Sequence, residues 1–167
     1  MGMFAGKKGL ITGVFNKQSI AWAIADRIMQ EGGECGFSYM PDKPDDRRQK
    51  NLGRIQKLTE GNSQAKFLQP MDVTNDEHIG ALIRRSREEL GELDFLLHSI
   101  AYAQPDDLKK DTVETSRDGF KLAMEISAYS LIALANAAKD IMSDNASILT
   151  LTYFGGEKAV PGYNVMG

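Results

Sequence analysis

The chain carries one cysteine, Cys35, so no internal disulfide can staple it. That fits a reducing compartment, and the sequence is read as cytoplasmic. Cys35 lies in an apolar stretch and is expected to be a small core residue. No long apolar run is present either. The longest uncharged stretch, Ile126 to Ala138, falls short of the roughly 20 apolar residues a membrane helix needs. The N-terminus, MGMFAGKKGLITG, lacks an apolar segment followed by a small-residue cleavage site, so no secretory signal is expected. Positive charge is not in excess. With 20 Lys+Arg against 23 Asp+Glu and a pI near 5.4, the chain lacks the basic face of a nucleic-acid binder. Two histidines and one cysteine make no zinc site, and no metal is expected. No repeat, low-complexity tract or linker divides the 167 residues, which are read as one domain over 1–167.

What is present is an alternation of short apolar runs and longer amphipathic segments. Gly9-Leu10-Ile11-Thr12 reads as a first strand ending at Gly13. From Ser19 the period changes: Ile20, Ile24 and Ile28, with Ala21 and Ala25, recur as on one face of a helix that Gly32-Gly33 stops. Glu34–Tyr39 is a second strand, and a helix is expected late in 41–59. Ala65–Met71 is a third strand. Thr74 and Glu77 have capping-box spacing, and Ile79, Leu82, Ile83, Ser86 and Leu90 form the inner face of the helix they start. Asp94–Ser99 is a fourth strand, Thr115 to about Met142 one long helix, and Ala146–Thr152 a fifth strand. Such alternation predicts an α/β fold, a doubly wound parallel sheet of Rossmann type. The chain holds its first five strands with flanking helices.

A strand, a glycine turn and a helix start are where a pyrophosphate binds, because backbone N–H groups and the helix dipole meet there. The G-x-G-x-x-G pattern is absent. The loop reads Gly13-Val14-Phe15-Asn16-Lys17-Gln18-Ser19-Ile20-Ala21. Ser19 either donates to a phosphate or merely N-caps the helix. Asp72-Val73 follows the third strand, where a carboxylate can accept an adenine amine or be a plain loop residue. Ser99-Ile100-Ala101 follows the fourth strand, either as room for a ribose and nicotinamide or as a strand-end turn. Tyr39-Met40 ends the second strand with no acid to hold a ribose 2′-hydroxyl. Lys43, Arg47 and Arg48 follow, to receive a 2′-phosphate or to form a solvated face. His78 is expected in solvent and His98 as a hydrogen-bonded structural residue.

Taken together these residues resemble the divergent branch of the short-chain dehydrogenase/reductase superfamily, the bacterial enoyl-acyl-carrier-protein reductases. The features that carry the resemblance span the chain. They are Gly13-x5-Ser19-x-Ala21, His98-Ser99-Ile100-Ala101-Tyr102-Ala103, Gly119-Phe120-Lys121, Ile126-Ser127 with Tyr129-Ser130, Leu149 to Tyr153, and Tyr163-Asn164-Val165-Met166-Gly167.

The resemblance implies reduction of the trans-2 double bond of an enoyl thioester on acyl carrier protein by hydride from NADH, with NADPH left open. It implies cofactor contacts from Gly13, Ser19, Ile20, Met40, Asp72, Val73, Ser99, Ile100 and Ala101, and substrate contacts from Ala103 and Met166. Tyr163 and Met166 match the first half of a Y-x-x-M-x-x-x-K pattern, and Tyr153 matches an upstream tyrosine; these two tyrosines are the expected catalytic residues. The pattern's lysine falls beyond Gly167. The chain is therefore expected to be C-terminally incomplete and inactive by itself. A homotetramer is also implied, in keeping with a long helix that is apolar on more than one face. Two alternatives stay open. One is a carbonyl (3-ketoacyl) reductase of the same superfamily, for which Thr150 has the spacing of the carbonyl-binding hydroxyl. The other is a non-catalytic dinucleotide-binding protein.

Overall fold

A computed structural model of the chain describes residues 2–167. Five parallel strands, β1 (Lys8–Ile11), β2 (Glu34–Tyr39), β3 (Ala65–Pro70), β4 (Leu93–His98) and β5 (Met142–Thr150), form one sheet in the order β3-β2-β1-β4-β5. The doubly wound parallel sheet expected from the alternation is present. The chain winds outward from β1 to β3, then crosses back over β1 to place β4 on its other side. The order therefore reverses between β1 and β4, where a crevice opens at the carboxyl ends of the strands.

Alternation along the central strands feeds two cores. Leu10 and Leu96 point to one side, with α3 (Asp76–Glu89) and α6 (Ser130–Ala138); Ile11, Phe95 and Leu97 point to the other, with α1 (Ile20–Gln30) and α2 (Lys50–Thr59). Leu10, Ile11, Phe37 and Leu96 are fully buried, each contributing about 1.5–3 kcal/mol of apolar transfer. Cys35 is buried as expected, and burial pushes its thiol pKa up to about 12, so it is inert. Trp22 packs on Phe37 with ring centroids 6.2 Å apart. Among the described residues no helix is long and apolar enough to cross a membrane.

The inner face of α3 is the one its spacing predicts: Ile79, Leu82, Ile83, Ser86 and Leu90 are all buried. Four expectations need correction. In α1 the buried face is Ala21, Ala25, Ile28 and Met29; Ile20, in the open first turn, is 64% exposed. The α3 cap is Asn75, not Thr74, because Asn75 Oδ1 accepts the Glu77 and His78 N–H groups while the Thr74 hydroxyl is donated to Asp72. The single long helix is instead α5 (Arg117–Met124), a π turn (Glu125–Tyr129) and α6. Finally β5 begins at Met142, which pairs with Leu93, rather than at Ala146. A short helix, α4 (Pro105–Lys109), was not foreseen.

The π turn lies where the helix meets the end of β4. Ser130 Oγ donates to the Ile126 carbonyl at 2.6 Å and meets His98 Nε2 at 2.7 Å, so a side chain inserts into the helical ladder. With the serine hydrogen committed to Ile126, His98 Nε2 carries the proton, and Nδ1 accepts from the Thr150 hydroxyl at 3.2 Å. Burial lowers the His98 pKa, opposed by a backbone hydrogen bond. His98 thus ties the ends of β4 and β5 to the helix beyond them, the structural role its position suggests.

Candidate functional site

The carboxyl ends of β1 to β4 enclose an open pocket of about 500 Å³. Its base is set by backbone. Thr12 N–H and Oγ1 both donate to the Leu97 carbonyl, which carries the β1–β4 contact one residue past the strand. Gly13 then turns at φ +86°, and a Cβ there would overlap the Ser99 carbonyl oxygen. Only glycine allows β1 and β4 to close so tightly on the pocket floor.

Beyond Gly13 the loop folds around Ser19. Its Oγ accepts the N–H groups of Phe15 and Asn16, both at 3.0 Å, rather than capping α1. The Ser19 hydroxyl hydrogen has no acceptor among the described residues. Among the described residues no hydrogen bond uses the Ile20 or Ala21 N–H. The first turn of α1 therefore presents orphan donors and a positive dipole end, an arrangement suited to an anion.

The opposite wall comes from β2, β3 and α2. Met40 and Asn51 line it, with Met71, Asp72 and Val73 beneath. Asp72 Oδ1 takes the Thr74 N–H and O–H, leaving Oδ2 for another donor. His78 is not simply solvated: its Nδ1 accepts the Asp72 N–H at 3.3 Å. Asp42 lies just past β2, yet its two oxygens accept the Asn51 and Leu52 N–H groups and so cap α2. It holds nothing in the pocket. Lys43, Arg47 and Arg48 are exposed and do not line it. Arg54 lies over the Phe15 ring at 4.4 Å from its centroid, joining the glycine loop to α2 across one rim.

The far end is formed by Ser99, Ile100, Ala101, Tyr102 and Ile126. Tyr102 is fixed by Ser127, whose Oγ accepts its N–H at 3.0 Å and donates to its carbonyl at 3.2 Å. Next to Ser127 sits Met166, with its sulfur 3.9 Å from that hydroxyl. The segment after β5 therefore abuts this end of the pocket. Within that segment Tyr153 and Tyr163 stack, with centroids 4.4 Å apart and planes 26° apart; both are more than 40% exposed.

Of the residues singled out from sequence, Gly13, Met40, Asp72, Val73, Ser99, Ile100 and Ala101 line one pocket. Ser19 and Ile20 stand at the helix start beside it, Tyr153 and Tyr163 form a pair, and Met166 meets the wall through Ser127. Ala103 is buried and does not line the pocket. The lining residues Phe15, Asn51 and Tyr102 were missed. Asn51 and the Phe15–Arg54 contact join segments far apart in sequence, and no local pattern announces them.

A parallel sheet with this strand order, a glycine turn into a helix start and a pocket at the switch point define a Rossmann-type, dinucleotide-binding class of fold. The comparisons narrow it. Residues 13–167 match the family described as Enoyl-(Acyl carrier protein) reductase, and the chain belongs to that family. It is 44% identical over 162 residues to the enoyl-acyl-carrier-protein reductase (NADH) FabI of Nostoc sp., covering 97% of this chain and 61% of that relative. It is 43% identical to the FabI of Bacillus cereus, covering 100% and 63%. The chain thus spans about three fifths of the length of these relatives. Among solved structures it superimposes on the Anaplasma phagocytophilum reductase in complex with NAD with a TM-score of 0.89 at 39% identity. That match covers 100% of this chain and 61% of that one. The Bacillus cereus reductase with NADP+ and indole naphthyridinone also gives 0.89, at 42% identity, covering 100% and 63%.

Proposed function

We propose that residues 1–167 form a dinucleotide-binding domain that holds NADH along this pocket. In the full-length protein it reduces the trans-2 double bond of an enoyl thioester carried by acyl carrier protein, as a step of fatty acid synthesis. The observation that carries the reading is the junction of two features: a switch-point pocket with a glycine floor, and a segment after β5 that carries the stacked tyrosines and meets the pocket's far wall through Met166 and Ser127.

The residues suit the cofactor. At one end Asp72 Oδ2 accepts the adenine amine over Val73, with Met40 at the adenosine edge. In the middle the Ser19 hydroxyl and the Ile20 and Ala21 N–H groups take the pyrophosphate, which Gly13 allows close to the backbone. At the far end Ser99, Ile100 and Ala101 present small or apolar surface to the nicotinamide. With Asp42 spent on α2, no carboxylate at the end of β2 repels a 2′-phosphate, so NADPH is the second cofactor to assay.

When bound, the nicotinamide supplies the hydride for the β-carbon of the substrate. The chain's own task is the charge that then builds on the thioester oxygen. The Tyr163 phenol donates a hydrogen bond to that oxygen, an oxyanion-type stabilisation that strengthens as the enolate forms. Tyr153, held against Tyr163, lines the acyl pocket or assists the same oxygen. Met166, against Ser127 at the far end, belongs to the substrate side; Ala103, being buried, does not reach the substrate.

The reading also makes the protein a cytoplasmic homotetramer. Support for assembly comes from Phe120, Met124, Tyr129 and Ile132, large apolar residues of the α5–α6 segment that are each about half exposed or more. The carbonyl-reductase alternative requires a free Thr150 hydroxyl, and here that hydroxyl is bonded to His98 Nδ1. The discriminating experiment follows NADH oxidation by the full-length protein with crotonyl and acetoacetyl thioesters. Turnover of the crotonyl thioester alone is expected. Preference for the acetoacetyl thioester would establish the carbonyl reductase, and NADH binding without turnover of either a non-catalytic binder.

A further inference from the structure

Tyr163 lies on an irregular, exposed segment, and a phenol that must meet a developing charge needs a fixed position. The residue after it is not used by anything above. Asn164 has φ +25°, a left-handed backbone that a side chain with a Cβ adopts at a cost. Its side chain explains why the conformation persists. Nδ2 shares its hydrogens among the Asp107, Lys110 and Asp111 carbonyls and the Thr115 hydroxyl, the Lys110 and Thr115 contacts both at 3.1 Å. A cluster of carbonyl oxygens identifies that atom as the nitrogen.

The loop that receives this amide is itself braced. Asp107 is 2% exposed, and its carboxylate accepts the Ser116 N–H and hydroxyl, both at 2.9 Å. Ser116 in turn caps α5 through the Gly119 N–H, and a Cβ on Gly119 would overlap the Asp107 carboxylate. A chain of bonds therefore runs from the N-terminus of α5 through Asp107 to Asn164 and the adjoining tyrosine. The strain at Asn164 is held by the surrounding structure, the circumstance in which strained backbone persists at functional sites.

We propose that Asn164 is a positioning residue for the reaction: its amide anchors the Tyr163 segment to the α4–α5 loop and so fixes the phenol against the substrate oxygen. This rests on the reading of Tyr163 as the donor. Two variants test it in the full-length protein. Asn164→Gly accepts the left-handed backbone freely, so the segment loses its anchor without added strain. Asn164→Asp keeps the shape but turns a carboxylate toward three carbonyl oxygens.

Both variants are expected to lower kcat with a crotonyl thioester by about a hundredfold, the cost of an ångström-scale misplacement, while the NADH dissociation constant stays within twofold. A merely structural role would move cofactor affinity and rate together. Tyr163→Phe is run in parallel. If Tyr163→Phe is slow and the Asn164 variants turn over at the wild-type rate, the anchoring proposal fails and the assignment of Tyr163 stands. If Tyr163→Phe itself retains the wild-type rate, the reading of the tyrosine fails first. Loss of NADH binding in proportion to rate in both Asn164 variants would also overturn the proposal.

Discussion

Replacing Gly13 by alanine tests the pocket floor. Two costs add. At φ +86° an alanine pays about 1–2 kcal/mol for its left-handed backbone. Its Cβ also overlaps the Ser99 carbonyl oxygen, a backbone atom that cannot swing aside like a side chain, and relieving such overpacking costs typically about 1–3 kcal/mol. The sum, roughly 2–5 kcal/mol, is a large part of the 5–15 kcal/mol that holds a typical domain together. The melting temperature should fall by roughly 4–20 °C. The β4 end must move with Ser99, so the surface proposed for the nicotinamide is displaced and NADH binding should weaken at least about tenfold, or 1.4 kcal/mol. Gly61→Ala separates the two costs. It has a similar φ of +74° with nothing within 4 Å of its Cβ, so it should show the strain alone and bind NADH normally. Thermal unfolding and fluorescence titration with NADH measure both. Equal stability and equal NADH affinity in the two alanine variants would refute the argument from close approach.

Two further outcomes follow from the same geometry. Ser19→Ala removes the acceptor of two loop N–H groups and the hydroxyl proposed to meet the pyrophosphate, so NADH affinity should drop about tenfold and stability by about 1–2 kcal/mol, read by titration and urea unfolding. His98 is buried with its pKa lowered, so above its ordinary value near 6.5 both folded and unfolded forms are neutral and the group is silent. As pH falls from there to the lowered folded value, the unfolded chain takes up a proton that the folded chain does not, and stability declines by at most about 1.4 kcal/mol per pH unit. His98→Gln should flatten that slope in urea unfolding measured across the acid range; an unchanged slope would deny the histidine this role.

Regular periods made the sheet and α3 legible. The inner face of α3 is dictated by its own spacing, and β1 to β4 are short apolar runs bounded by turn residues. What escaped the sequence depends on partners remote in the chain. The π turn follows from Ser130 meeting His98, which arrives from β4. The start of β5 reads as a polar loop, Ser143-Asp144-Asn145, yet Met142 pairs with Leu93 at the sheet edge. Asp42 sits just past β2, near the place a ribose-binding acid takes in NAD enzymes, but is drawn off to cap α2. Ser19 has the spacing of a helix cap, and only the folded loop shows its oxygen turned back on Phe15 and Asn16. The residues at the strand ends that line the pocket were legible because they follow β1, β2, β3 and β4 in order along the chain. The anchoring of the tyrosine segment was not, since Asn164 reaches across to Asp107 and Lys110.

The central claim is that the Tyr163 phenol stabilises charge on the thioester oxygen, and steady-state NADH oxidation with a crotonyl thioester by full-length Tyr163→Phe tests it most directly. The change removes one hydroxyl and keeps the ring that stacks on Tyr153. Loss of an oxyanion-type donor costs about 3 kcal/mol, so kcat should fall about a hundredfold with the NADH dissociation constant unchanged. A wild-type kcat in Tyr163→Phe would contradict the account.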